Sequence, residues 1–285
     1  QYLEPFSERT ENDALDEMRW VYGSLYKHMR DDGAILRGVK PRARINDGVP
    51  MYGVESWAYG PSTNAQAAGA MAMGAWVLRD IDPELAAINR EAAIRNYQYN
   101  HKILGERYRE SKRSSGERML YASKFLFAEM YLLKLTGEDL YRKRLERHLD
   151  DLIAGLRERG YAGAIELFRG NFQDGGITQD FTTVGCHFAK LYPRHARMDD
   201  LKTGLRAFAE DVAKVSDVQA YGQALTITPE GEPGVFARVE RMVGYWPGLA
   251  RSLAEIGVLL EEPRFILLAE RQLQWCLGRN FTDMS

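Results

Sequence analysis

Cysteine is scarce in this chain, with two residues among 285, Cys186 and Cys276. That excludes a disulfide scaffold. Two cysteines and five scattered histidines also give no zinc-type ligand spacing. Both cysteines sit in apolar helical contexts, TTVGCHF and QLQWCLG, and read as buried free thiols. No apolar run reaches about 18 residues, so no membrane span is expected. Charge of one sign is lacking too. The net charge is −2, with no basic run and no acidic tail, which argues against nucleic acid as a partner. The stretch Gln1 to Arg9 has no charged start followed by an apolar run, so it does not read as a signal peptide. A Gly-rich phosphate loop followed by Lys is missing, and no Ser–His–acid order emerges.

What is present is ordinary in bulk and unusual in pattern. Hydrophobic residues make up 45% and charged residues 27%, as in a soluble globular protein with one large core. Fifteen Tyr and five Trp exceed what a core needs. Large amphipathic rings suit a ligand with a flat, partly apolar face, such as a sugar.

Four segments repeat one design: an apolar helix, a short acidic or Pro-containing break, and a second, amphipathic helix. They are MAMGAWVLRDIDPELAAINREAAIRNY, FLFAEMYLLKLTGEDLYRKRLERHLDDL, GCHFAKLYPRHARMDDLKTGLRAFAEDVAKV and GLARSLAEIGVLLEEPRFILLAERQLQWCL. Breaks at 82, 139, 200 and 263 are 57, 61 and 63 residues apart. In Asp82-Pro83-Glu84 the Asp can cap the new helix, and Pro fits its first position because the N–H it lacks would be unpaired there. Thr136 and Asp139 have capping-box-like spacing. Connections this short force antiparallel pairs. The more apolar first helices predict an inner layer and the charged second helices an outer one. An amphipathic helix over 12–30 precedes the repeats and stops at Asp31-Asp32-Gly33. The expected fold class is all-α, with no sheet beyond short pairings in long loops.

The segments entering the inner helices read as long loops: Gly33 to Pro61, the basic Gly105 to Gly116 ending in Ser114-x-x-Glu117, the Gly-rich Gly160 to Asp180, and Ser216 to Val235. Hairpins with all their long loops at one end carry their binding face there.

Three blocks, in order, resemble glycoside hydrolases of family nine. YWPGLARSLAEIGVLLEEPRFILLAERQLQWCLGRN is similar to that family's inner helix, outer helix and Leu-Gly-Arg-Asn signature, here Leu277-Gly278-Arg279-Asn280. ALDEMRWVYGSLYKHMRDDGAILRGV resembles its first helix and dipeptide-Gly turn. GPSTNAQAAGAMAMGAWVLRDIDPELA resembles its alanine-rich inner helix and Asp-Pro outer helix. The resemblance runs from about Asn12 to Asn280. It implies an (α/α)6 toroid-like array of helical hairpins and inverting attack by an activated water on β-1,4-glucan or related oligosaccharides. It implies no cofactor for the chemistry. Calcium occurs in some members, but no ligand set for it stands out in this sequence. It further implies a secreted or periplasmic location.

Two departures shape the expectation for this chain. The family's base lies in an Asp-Ala-Gly-Asp-type motif ahead of the first matched helix, and its acid is a Glu beyond the signature. Neither motif is found. A ring of six hairpins at this spacing takes roughly 360 residues. The expectation is therefore a single toroid-like catalytic-type domain over 1–285, trimmed at both ends and lacking both family carboxylates.

Glycosidic cleavage needs two flanking carboxylates, one protonated and one ionised. Asp174 and Asp180 in NFQDGGITQDF, Glu55 in GVESWAYGP and Glu240 in ARVERMVGYW lie near inner-helix entries. Helix caps and solvated loop acids account for such residues more often. Asp174 and Asp180 are therefore only candidates, and none of the four is assigned as catalytic. Sugar binding is the stronger reading. Trp57, Tyr59, Tyr245 and Trp246 sit at or just before inner helices, where they either stack on a sugar or pack at the rim between hairpins. Trp57 and Trp246 are expected to share one cleft. Trp20, Trp76 and Trp275 fall within helical periods and read as core, and Arg279 reads as structural. Two other readings stay open: a different helical-toroid sugar enzyme (an unsaturated-uronyl hydrolase or a sugar epimerase), which Asp174 and Asp180 would favour, or a non-catalytic helical sugar-binding or interaction module.

Overall fold

The computed structural model describes residues 13–41, 54–58, 61–110, 115–170, 177–217 and 245–276. In chain order the elements are α1 (Asp13–Lys27), β1 (Leu36–Pro41), β2 (Val54–Ala58), α2 (Pro61–Leu78), α3 (Pro83–Glu110), α4 (Ser115–Thr136), α5 (Asp139–Gly170), α6 (Ile177–Leu191), α7 (Met198–Asp217), α8 (Tyr245–Leu260) and α9 (Pro263–Cys276). Four helical hairpins, α2–α3, α4–α5, α6–α7 and α8–α9, follow the four sequence repeats. β1 and β2 form an antiparallel ribbon, with Val39 opposite Ser56, Lys40 opposite Glu55, and an irregularity between Leu36 and Val39. It is a short pairing within a long connection, as expected.

The breaks work through caps. Asp82 Oδ1 accepts the Leu85 N–H at 3.0 Å, and Arg19 Nε reaches the other oxygen at 3.1 Å. The Leu85 hydrogen bond first, and Arg19 after it, hold the Asp82 carboxyl below its usual range. Between α4 and α5, Gly137 takes φ +71°, and its N–H donates to Leu133 O, a left-handed helix end. Thr136 is the last residue of α4 and accepts the Glu138 N–H, so it closes α4 instead of forming a capping box with Asp139. The third break also differs from the sequence reading. It spans 192–197, because Pro193 cannot continue α6, and Asp199 and Asp200 fall in the first turn of α7. Acids there favour the positive helix end.

Two entry segments are more helical than expected. α3 runs on to Glu110 and α5 to Gly170. Gly is their only breaker residue, and each Gly inside a helix costs only about 1 kcal/mol.

The chain divides into two compact units. The first comprises Gln1–Ser111 and Tyr131–Arg142. In it α1 runs parallel to α3, and three bonds share a separation of 63 residues: Arg19 to Asp82, Tyr26 to Asn89, and Gly33 to Asn96. Steps of seven residues, two helical turns, carry each bond to the next along both helices. The Tyr22 hydroxyl donates to Ala70 O of α2 at 3.1 Å, and Gly74 leaves room for its ring. With Tyr22 and Tyr26 turned inward, Trp20 lies on the far side of α1 and is 70% exposed, so it is not core. Trp76 is half-buried, with the Arg79 guanidinium 4.0 Å over its ring. Trp275 has its side chain outside the described residues.

The second unit comprises Lys112–Met130 and Lys143–Ser285. Its hairpins are antiparallel. Gly155 of α5 lies against Met119, and His148 against Phe125 and Glu129 of α4. In the next hairpin Phe181 packs edge-on to Phe208 at 5.6 Å, and Gly185 meets Leu205. The second helices α5, α7 and α9 run parallel and are laced by ion pairs. Arg157 with Asp200 and Arg197 with Asp150 join α5 to α7; Arg206 with Glu262, Arg264 with Glu210 and Arg271 with Asp217 join α7 to the start and body of α9. Of the first helices in this unit, α4 and α6 are the most extensively buried. In α4 residues 122–126 and 128–130 are all buried, as an inner layer requires.

Candidate functional site

In the second unit α4, α6 and α8 lie side by side and point the same way. Phe127 of α4 meets His187 of α6 edge-on at 5.4 Å, and Tyr192, just past α6, donates to Met130 O at 2.7 Å. In the first half of α6 and at the middle of α8, Thr182 Oγ1 donates to Ser252 Oγ at 2.8 Å, with both residues fully buried. Farther along, Lys190 lies 3.8 Å from Glu255. Pairs that advance together along two helices make them parallel, so the N-terminal ends of α4, α6 and α8 gather at one end. This is the end where unpaired backbone N–H groups and the positive helix poles favour oxygen acceptors.

One set of sequence-predicted residues lies toward that end of the second unit. Asp180 is in the first turn of α6, and Tyr245 and Trp246 open α8. The Thr182–Ser252 contact sets α6 and α8 side by side, so these residues lie toward the same end, while their side chains lie outside the described residues. In the first unit Trp57 and Glu55 are on β2, just ahead of α2. Their side chains, too, are not among those described. Tyr59, Asp174, Glu240 and Leu277 to Asn280 lie outside the described residues altogether. The expectation that Trp57 and Trp246 share a cleft falls on side chains of this kind.

A buried Glu–His pair is among the polar groups that the sequence reading did not name. Glu129, in the apolar run FLFAEMYLL, is fully buried, and its Oε2 is 2.8 Å from Nδ1 of the equally buried His148 on α5. Arg147, which can only donate, approaches His148 Nε2 at 3.3 Å, so Nδ1–H donates to Glu129. A lone acid in an apolar run was the available signal. Glu129 reaches its own hairpin partner, and the pair joins α4 to α5.

Nucleophilic cysteine chemistry does not fit this site. Cys186 is fully buried and free, as expected, and burial, with the nearby Glu255 charge, pushes its thiol up to about 12. Cys276 has its side chain outside the described residues. Burial likewise lowers His187. Among the described residues no three His, Cys, Asp or Glu side chains are placed to hold a metal ion. No described helix is long and apolar enough to cross a membrane.

The comparisons with known proteins agree on one family. The family model described as glycosyl hydrolase family 9 matches residues 4–285. No curated protein matches the sequence. Among solved structures, a metagenome-derived glycoside hydrolase family 9 endoglucanase is similar, with 20% identity and a TM-score of 0.61, covering 99% of this chain and 48% of that one. An endoglucanase from the termite Nasutitermes takasagoensis shares 16% identity with a TM-score of 0.57, over 94% of this chain and 58% of that one. A Bacteroides ovatus GH9 protein shares 15% identity with a TM-score of 0.58, over 98% and 51%. The chain therefore spans about half the length of these structures. At such identities the likeness establishes the fold, the all-α hairpin array of the (α/α)6 class. With hairpins, signature and family model in agreement, the chain belongs to glycosyl hydrolase family 9.

Proposed function

We propose that this chain is the carbohydrate-binding helical core of an inverting glycoside hydrolase acting on β-1,4-glucan or related oligosaccharides in a secreted or periplasmic setting. The observation that carries the reading is the gathering of the α4, α6 and α8 starts at one end, with Asp180, Tyr245 and Trp246 in the first turns there. Aromatic rings at that end would stack on the C–H faces of glucose units, and Trp57 and Tyr59 would do the same at the entry to α2. The chemistry is general acid/base hydrolysis. One carboxylic acid protonates the leaving oxygen while a carboxylate about 6.5–9.5 Å away activates water on the opposite face. No side chain of this chain is assigned either role, and Asp174 and Asp180 are the candidates.

Affinity electrophoresis in a soluble neutral β-1,4-glucan, paired with reducing-sugar release, tests the reading. The purified chain is expected to be retarded. Trp57→Ala and Trp246→Ala should each weaken binding by about 1–3 kcal/mol, the size of a lost stacking partner. Reducing-sugar release is expected to stay at background, since the family's acid and base motifs are not found in the sequence and each positioned group contributes about 10²–10⁴-fold. Robust turnover abolished by Asp174→Asn or Asp180→Asn would move the chemistry to the start of α6. A chain that binds no glucan would overturn the reading.

A further inference from the structure

A second surface, in the first unit, has the chemistry of a sugar site. After α1 the chain turns through Asp31, Asp32 and Gly33 and packs on the later part of α3, leaving an open depression of about 400 Å³. It is lined by Asp31, Asp32, Arg95, Gln98, Tyr99 and Lys102, with Ile103 at its edge. The volume is that of a small-ligand site. Asp32 is committed to the turn: Oδ1 accepts the Ala34 N–H at 3.0 Å, and Oδ2 pairs with Arg30 at 3.2 Å. Asp31, Arg95, Gln98, Tyr99 and Lys102 make no side-chain hydrogen bond or ion pair among the described residues. That distinguishes them from the arginines of the second unit, where Arg157, Arg197, Arg206, Arg264 and Arg271 all find carboxylates.

Charges of both signs line the depression. The unspent donors and acceptors of Asp31, Arg95, Gln98 and Lys102 around the half-exposed Tyr99 ring suit the hydroxyls of a polyol. Position adds to this. α3 runs back along α2 from the short turn at 79–82, so Gln98 to Ile103 lie level with the start of α2. The turn through Asp31, Asp32 and Gly33 leads into β1 and the ribbon that enters α2.

We propose that this depression is an accessory binding site for a neutral glucan strand, with Tyr99 as its stacking platform and Asp31, Arg95, Gln98 and Lys102 as hydroxyl partners. The proposal rests on the glucan-binding reading but is separable from it, since it names residues outside the helix-start site.

The experiment is affinity electrophoresis of the full chain in hydroxyethyl cellulose at low and high salt. Variants are Tyr99→Ala, Tyr99→Phe and Trp246→Ala, each checked by thermal melting. Tyr99→Ala is expected to weaken retention roughly 3–10-fold and Tyr99→Phe to keep it, because the ring and not the hydroxyl stacks. Retention should change little with salt, as for an uncharged ligand. Tyr99→Ala retained like the unmodified chain would overturn the accessory site and leave the Trp246 site standing. Loss confined to Tyr99→Ala, with Trp246→Ala unaffected, would support the accessory site and remove the other. Retention that collapses in high salt would overturn the neutral-ligand assignment, as would absence of retention in the unmodified chain.

Discussion

Replacing Gly33 by Ala should loosen the turn that joins α1 to β1, and the structure sets the size of the effect. Gly33 adopts φ +89°, where a side chain costs roughly 1–2 kcal/mol. A Cβ there would lie 2.5 Å from Arg95 O, 2.7 Å from Arg95 C and 3.0 Å from Asn96 N. These are backbone atoms inside α3, so they cannot rotate away as a flexible side chain would. The turn must lift off instead. Lifting stretches the 2.7 Å bond from Asn96 Nδ2 to Gly33 O, and Asn96 is fully buried. A buried amide left without its acceptor costs about 1–3 kcal/mol. These terms overlap, and together they point to a loss of about 3–5 kcal/mol. Gly23, in the middle of α1, is the internal control. A Cβ there meets nothing within 4 Å, so Gly23→Ala should gain about 0.5–1 kcal/mol from helix propensity. Thermal and urea unfolding of both variants measure the two effects. A Gly33→Ala protein within about 0.5 kcal/mol of the unmodified chain would refute the reasoning, as would a Gly23→Ala protein less stable than Gly33→Ala.

Native Cys186 should resist iodoacetamide at pH 8 and react on unfolding, because burial holds its thiol near 12 and excludes the reagent. Rapid labelling of the folded chain, followed by peptide mapping to Cys186, would count against that burial. Asp82 should contribute a pH-dependent increment of stability. Its folded carboxyl titrates below the unfolded value, so the increment is complete above the unfolded value and is lost as pH falls through the folded one. Asp82→Asn keeps a capping oxygen and should flatten the acid limb of a melting-temperature profile, and an unchanged limb would contradict this assignment.

The helical hairpins were legible because their signals are local. An apolar helix, an Asp-Pro or Thr-Gly break and a charged helix can be read from neighbours in sequence, and α2–α3, α4–α5 and α8–α9 turn where those breaks stand. The family signature was legible for the same reason: its residues are consecutive. The errors arose where a local signal was ambiguous. Gly105 and Gly160 read as loop residues, yet α3 and α5 continue past both, because a helical Gly costs only about 1 kcal/mol and the residues between are helix formers. Trp20 fits a helical period equally well on either side of α1, and only the docking of Tyr22 and Tyr26 onto α2 and α3 turns it to solvent.

The sequence by itself determined the all-α class, the hairpin repeat and the family. Those depend on periodicity, caps and short motifs, which are properties of neighbouring residues. Tertiary structure alone decided which residues share a site. Thr182 and Ser252 are 70 residues apart, and their contact sets the starts of α6 and α8 at the same end. Asp31 and Lys102 line one depression for the same kind of reason, a turn docked on a distant helix. Side-chain chemistry can be read along the chain, but juxtaposition depends on how helices pack, and packing is settled by burial and contacts between residues far apart in sequence.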